Sequence, residues 1–147
     1  MKTFWTAALT LWAAAAWAQM TPVGTWHTID DETKKPKGEV TITDNNGVLT
    51  GVVGRSLVDD PKAKTICDLC KDDRKDQPIV GLEFIRGVKQ EGTKNIWGGG
   101  GKILDPGNGK VYTVEMEPIE GGKKMKVRGY IGPLYRTQIW LRVDQPK

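Results

Sequence analysis

Gly38-Glu39-Val40-Thr41-Ile42-Thr43-Asp44-Asn45-Asn46-Gly47-Val48-Leu49-Thr50-Gly51-Val52-Val53 decides how this chain folds. Val40 and Ile42 fall on one face of an extended chain and Thr41 and Thr43 on the other, a period of two that suits a half-buried strand. Asn46-Gly47 then offers a tight reversal, because both central residues of such a turn must accept positive φ. Val48 to Leu57 returns as a second strand, so the stretch predicts an antiparallel hairpin.

Working outward, the same pattern recurs. Val23 to Ile29 is an earlier strand. After a long connection, Val58 to Pro78, come Ile79 to Val88 and a turn at Gly92-Thr93. Asn95 to Leu104 is strand-like but interrupted by Gly98-Gly99-Gly100-Gly101, which reads as a bulge, a bend or a tightly joined strand pair, so this segment holds one strand or two. Asp105-Pro106-Gly107-Asn108-Gly109 turns the chain, and Lys110 to Glu117 alternates with Tyr112, Val114 and Met116 on one face. Gly121-Gly122 turns it again before Lys124 to Ile131 and Leu134 to Val143. Helical periodicity is nearly absent, and the eighteen glycines would break any long helix. About eight antiparallel strands joined mostly between neighbours make an all-β, up-and-down meander. Closure into a barrel is the expected outcome, ahead of a sandwich, because it removes edge strands that would invite aggregation.

The amino terminus sets the compartment. Lys2 precedes an almost wholly apolar run from Phe4 to Trp17, and Ala16-Trp17-Ala18 gives the small-x-small pattern of a cleavage site, placing the mature start near Gln19. Residues 1–18 are therefore expected to be a signal peptide and residues 19–147 a single β-barrel-like domain. The run is short for a membrane span and no basic stop-transfer cluster follows, so no transmembrane segment is expected in the mature chain. A periplasmic or secreted location follows, away from ATP, NADH and thiol-reducing buffers. The formal net charge of +4 is interspersed. The densest basic group, Lys123, Lys124, Lys126 and Arg128, alternates in part with Met125 and Val127, as a half-exposed strand would, and no nucleic-acid partner is expected.

Candidate chemistry is sparse. Cys67-Asp68-Leu69-Cys70 lacks the further ligands that zinc needs, and Lys71 stands where covalent haem attachment requires histidine. Outside the cytoplasm a Cys67–Cys70 disulfide is the default, worth about 2 kcal/mol for so short a loop and suited to clasping the Val58–Pro78 connection. Thiol exchange would need a low-pKa thiolate at a helix start, and Asp68, Asp72 and Asp73 oppose one. Asp30, Asp31 and Glu32, followed by Lys34, Lys35 and Lys37, read as a polar turn rather than an acid–base pair. Ser56 and His27 share no signal of a nucleophile–base pair. Lys102 follows glycines, but Ile103 stands where a phosphate loop needs Ser or Thr. No catalytic residue, metal ligand or cofactor is expected. Trp26, Trp97 and Trp140 survive cleavage, and Trp97 and Tyr112 are the candidate pocket residues of a barrel whose interior is either filled or hollow.

Gly24-x-Trp26 near the start, with a late arginine, resembles the calycin pattern of lipocalins, avidins and fatty-acid-binding proteins. The matching positions are Gly24, Trp26 and either Arg136 or Arg142, with Trp140 in the same closing strand. The resemblance implies structural rather than catalytic positions; because the first and last strands of a closed meander are neighbours, the arginine is expected to lie over the indole, worth about 0.5–2 kcal/mol, and to donate to carbonyls at the barrel rim. A closer resemblance spans nearly the whole mature chain: Gly24-x-Trp26, Ile29-Asp30-Asp31, Cys67-x-x-Cys70, Gln77-Pro78-Ile79-Val80-Gly81, Leu104-Asp105-Pro106, Asn108-Gly109-Lys110-x-Tyr112, Val127-Arg128-Gly129-Tyr130-Ile131-Gly132 and Arg136-Thr137-Gln138-x-Trp140 stand in order. The chain resembles the bacterial exported family known as domain of unknown function 2147, which implies a periplasmic β domain and lends no activity. The functional expectation is a non-enzymatic exported barrel that binds a small apolar or amphipathic, lipid-like ligand. The alternative is a structural or protein-interaction module of the cell envelope, with an envelope protein as partner and the disulfide-clasped loop as its contact.

Overall fold

The computed structural model describes residues 20–143. The expected signal peptide and the cleavage point before Gln19 lie outside the described residues. Nine strands follow in order: β1 (Gly24–Ile29), β2 (Pro36–Asn45), β3 (Val48–Ser56), β4 (Glu83–Gln90), β5 (Trp97–Gly98), β6 (Lys102–Leu104), β7 (Val111–Ile119), β8 (Lys124–Ile131) and β9 (Leu134–Arg142). Only a single 3-10 turn, Glu120–Gly122, interrupts them among the described residues.

Every strand pairing is antiparallel, and the ladder runs round a complete circle. The chain pairs β1 with β2, β2 with β3 and β3 with β4. It then passes through β5 and β6 to β7, β8 and β9, and β9 returns to β1 through Trp26 opposite Arg142 and His27 opposite Leu141. Both β5 and β6 sit between β4 and β7, so they are one wall position broken by the glycine run. The barrel thus has eight wall positions, and the Gly98–Gly101 segment holds two short strands in one place.

The hairpin that the sequence singles out forms with Asn45 opposite Val48. Its turn residues Asn46 and Gly47 have φ of 53° and 87°, and Asp44 Oδ1 accepts the Gly47 N–H at 2.7 Å. Period-two alternation sends Trp26, Val40, Ile42, Val114, Met116, Met125, Val127 and Trp140 into a core from which water is excluded. The long connection is not loose. Cys67 and Gln77 are joined by a backbone hydrogen bond of 2.8 Å, Ile66 bridges to Pro78, and Gly81 donates to Val53 on β3. Arg74 is buried there; its guanidinium grips the Asp72 carboxylate and donates to the Glu83 carbonyl at the start of β4.

A cleft at the open end and a guanidinium at the closed end

The two ends of the barrel differ in chemistry. At one end lie the turns after β2, β4 and β7, together with the entering segment Thr21–Val23. Arg142, the last residue of β9, lies with its guanidinium carbon 4.2 Å from the centre of the Trp26 ring. Its nitrogens donate to the carbonyls of Gly122 at 2.5 Å, Val23 at 2.7 Å and Thr21 at 2.6 Å. The Trp26 indole N–H donates to the Pro22 carbonyl at 2.8 Å. Burial lowers the Arg142 pKa from its ordinary value, because a charge removed from water loses hydration.

Gly24 explains why this arrangement needs its particular motif. Its φ is +134°, and a Cβ there would stand 2.6 Å from an Arg142 nitrogen. Glycine at this position and tryptophan two residues on are therefore one device: the first clears the path of the guanidinium that covers the second. Of the two candidate arginines, geometry selects Arg142. Arg136 is not part of the closure. It lies six residues back along β9, roughly 20 Å at strand rise, at the opposite end of the barrel, where it forms an ion pair with Asp31.

That opposite end is open. A cleft of about 840 Å3 enters the barrel between the β1–β2 turn, the β6–β7 turn and the β8–β9 hairpin. Such a volume suits a small organic ligand. Phe84 and Trp140 form its floor, their ring centroids 6.2 Å apart. Ile103, Tyr112 and Val127 contribute apolar wall, and Gly129 leaves the space that any larger residue would occupy beside Tyr112 and Ile103. The interior is thus filled in its closed half and hollow in its open half. Tyr112 lines the cleft. Trp97 does not: it is buried on β5 opposite Met116, because the glycine run turns the chain immediately after it and keeps its ring in the packed interior.

One wall of the cleft is polar, and the sequence shows it only faintly. Trp140 Nε1 donates to Gln138 Oε1 at 3.1 Å, and Gln138 Nε2 donates to the Asp31 carboxylate at 3.3 Å. Asp31, paired also with Arg136, thus ends a chain of contacts running from the floor to the rim. Its neighbour Asp30 does the work of a turn residue: its carboxylate accepts the N–H groups of Thr33 and Glu32 at 2.8 and 3.0 Å, which lowers its pKa. The acidic cluster therefore divides into a turn former and a cleft residue. The clue was Gln138, placed with Trp140 on the inward face of the last strand.

The disulfide forms, with Cα atoms 5.4 Å apart, and both cysteines are buried. Cys67 Sγ lies 3.8 Å from the Pro106 carbonyl oxygen, so the clasped loop abuts the β6–β7 turn that borders the cleft. His27 is on the outer face with Glu39 and Arg55, and Ser56 bonds to the Val58 carbonyl, so they do not meet. Among the described residues no group of three or more His, Cys, Asp or Glu is placed to hold a metal ion, and no helix is long and apolar enough to cross a membrane.

A closed antiparallel barrel with one stoppered end and one open cleft is the lipocalin-like design. The fold is shared with a solved structure, protein HP1028 from the human pathogen Helicobacter pylori, described as belonging to the lipocalin family: 21% identity, TM-score 0.71, 86% of this chain and 85% of that one covered. The chain belongs to the family described as an uncharacterized protein conserved in bacteria, DUF2147, whose model matches residues 24–142. No curated protein matches it.

Proposed function

We propose that this chain is an exported, non-enzymatic barrel that holds a small apolar or amphipathic, lipid-like molecule in the open half of its interior. The observation that carries the reading is the cleft of about 840 Å3 floored by Phe84 and Trp140. Burying an aliphatic chain against such a surface contributes about 0.8 kcal/mol per CH2. Gln138, Asp31 and Arg136 at the rim supply the polar end that an amphipathic molecule needs. The non-enzymatic reading is supported by how these groups are engaged: the Asp31 carboxylate is already matched by a guanidinium and an amide. The HP1028 description as a lipocalin fits this reading by fold. Native mass spectrometry of protein purified from the periplasm should show a bound small molecule. Gly129→Phe, which fills the cleft between Tyr112 and Ile103, should leave the barrel folded and the protein empty. A wild-type protein that is always empty and takes up no lipid-like probe would overturn the proposal.

A second reading, an envelope interaction module, is favoured by exposed Ile66, Leu69 and Val80 on and beside the clasped loop. It expects a partner protein whose capture is lost in Leu69→Ser.

A further inference from the structure

We propose that the cleft selects its ligand by the hydrogen-bonding sense of the polar end: it takes an uncharged head that donates hydrogen bonds, an amide N–H or a hydroxyl, and turns away a free carboxylate. The inference rests on the ligand-binding reading above and names the chemical class of that ligand. Its basis is the direction of the hydrogen bonds along the polar wall. The Trp140 indole N–H can only donate, so Gln138 must turn its amide oxygen to the floor, where the two meet at 3.1 Å. The Gln138 amide nitrogen then faces Asp31, 3.5 and 3.3 Å from the two carboxylate oxygens. Arg136 reaches the same carboxylate. Exposure rises in this order: Trp140 is 2% exposed, the Asp31 side chain 37% and the Arg136 side chain 67%. Donors thus converge on Asp31 from the floor and from the rim.

What this wall has left to offer is acceptors. A carboxylate has about four lone-pair sites, and one amide and one guanidinium leave part of that capacity on Asp31 unfilled; Gln138 Oε1 keeps a second lone pair as well. The remaining Arg136 donors lie at the exposed rim, where water competes for them. Charge points the same way. Lys37 is paired with Asp30 and Arg136 with Asp31, and the charged residues left lining the cleft are Glu32, Asp105 and Lys110, one negative charge in excess. A fatty-acid carboxylate with its chain on the Phe84–Trp140 floor would bring its charge beside Asp31, and it could take the guanidinium only by leaving Asp31 unmatched. An N–H or O–H fills the vacant acceptors and leaves the ion pair intact. Tyr112 suits the same head: its hydroxyl oxygen accepts from Asn108 at 3.3 Å, so its proton is left for the carbonyl or hydroxyl oxygen that an amide or alcohol also carries.

The test is displacement of the neutral fluorophore N-phenyl-1-naphthylamine from the purified protein at neutral pH by ligands that share one lauroyl chain and differ only in the head. Lauramide and monolaurin donate hydrogen bonds, methyl laurate only accepts them, and laurate accepts them and is charged. Lauramide and monolaurin are expected to bind about tenfold more tightly than laurate, with methyl laurate between. Two variants shift the order in opposite directions. Asp31→Asn removes the opposing charge and releases the guanidinium, so laurate should gain about tenfold while lauramide weakens; Arg136→Gln leaves Asp31 unmatched, so laurate should weaken further while lauramide changes little. Both side chains are partly exposed, and an unchanged melting transition establishes that each variant is folded. A merely structural role would move all four ligands together. Laurate or methyl laurate binding as tightly as lauramide, or variants that shift every ligand alike, would overturn the proposal while leaving the ligand-binding reading intact, because the cleft would still be occupied. Failure of the fluorophore and all four ligands to bind would overturn both.

Discussion

Arg142 shows how much one side chain can do when it has three carbonyls and an indole within reach. Removing it strands the Gly122, Val23 and Thr21 carbonyls at the barrel rim and uncovers Trp26. Arg142→Met is expected to lower stability by about 2–4 kcal/mol, read as a reduced urea midpoint. Arg142→Lys should recover only part of this, because an ammonium cannot reproduce the planar fork. Gly24→Ala should weaken the same closure by about 1–3 kcal/mol, since the new methyl group meets the guanidinium and the backbone sits at positive φ. Both effects appear in denaturant melts followed by tryptophan fluorescence. The sequence motif gave the partners, glycine, tryptophan and a late arginine; which arginine was settled by register, Trp26 opposite Arg142.

At the scale of elements, the Val58–Pro78 connection behaves as a docked unit. Asp72 is held down to a pKa of about 2, first by the Arg74 guanidinium and then by the Arg74 backbone N–H. Its folded pKa lies below the ordinary value of 3.8, so the stabilisation it contributes is present above that value and is lost as pH falls through about 2. Acid titration should therefore release this segment between those values, seen as faster amide exchange around Cys67–Gln77, and Arg74→Gln should remove the transition. The other anchor is steric. Gly109, at φ +73°, leaves no room for a side chain against the Leu69 carbonyl. Gly109→Ala should separate the clasped loop from the β6–β7 turn, with a loss of about 1–3 kcal/mol and new protease cleavage between Val58 and Pro78. The sequence marks this segment only as a long connection with a cysteine pair. Its hydrogen bonds join residues about ten positions apart, and no local periodicity announces such pairings.

For the whole molecule, the disulfide is a brace and the barrel does not depend on it. The Cys67→Ser/Cys70→Ser double variant should lose about 2 kcal/mol while keeping the β-sheet signature in circular dichroism; loss of all folded structure would contradict that view. A lipid-like ligand bound in the cleft at a hundred times its dissociation constant should raise stability by about 2.7 kcal/mol, visible as a higher melting temperature, and Gly129→Phe should abolish the shift. The amino-acid sequence by itself determined the class of fold, the strand positions to within a few residues, the hairpin at Asp44–Gly47 and the meander order, because each rests on contacts close along the chain: alternation, turn chemistry and neighbour pairing. It also held the Gly24-x-Trp26 device and the cysteine pair. Only the tertiary structure decided that Arg142 rather than Arg136 covers Trp26, that Trp97 is packed away from the cleft, that Asp31 joins Gln138 and Arg136 at its rim, and that half the interior is hollow. Those outcomes depend on how strands distant in sequence meet around a closed circle, where register and side-chain volume, summed over the whole barrel, set what is filled and what is left open.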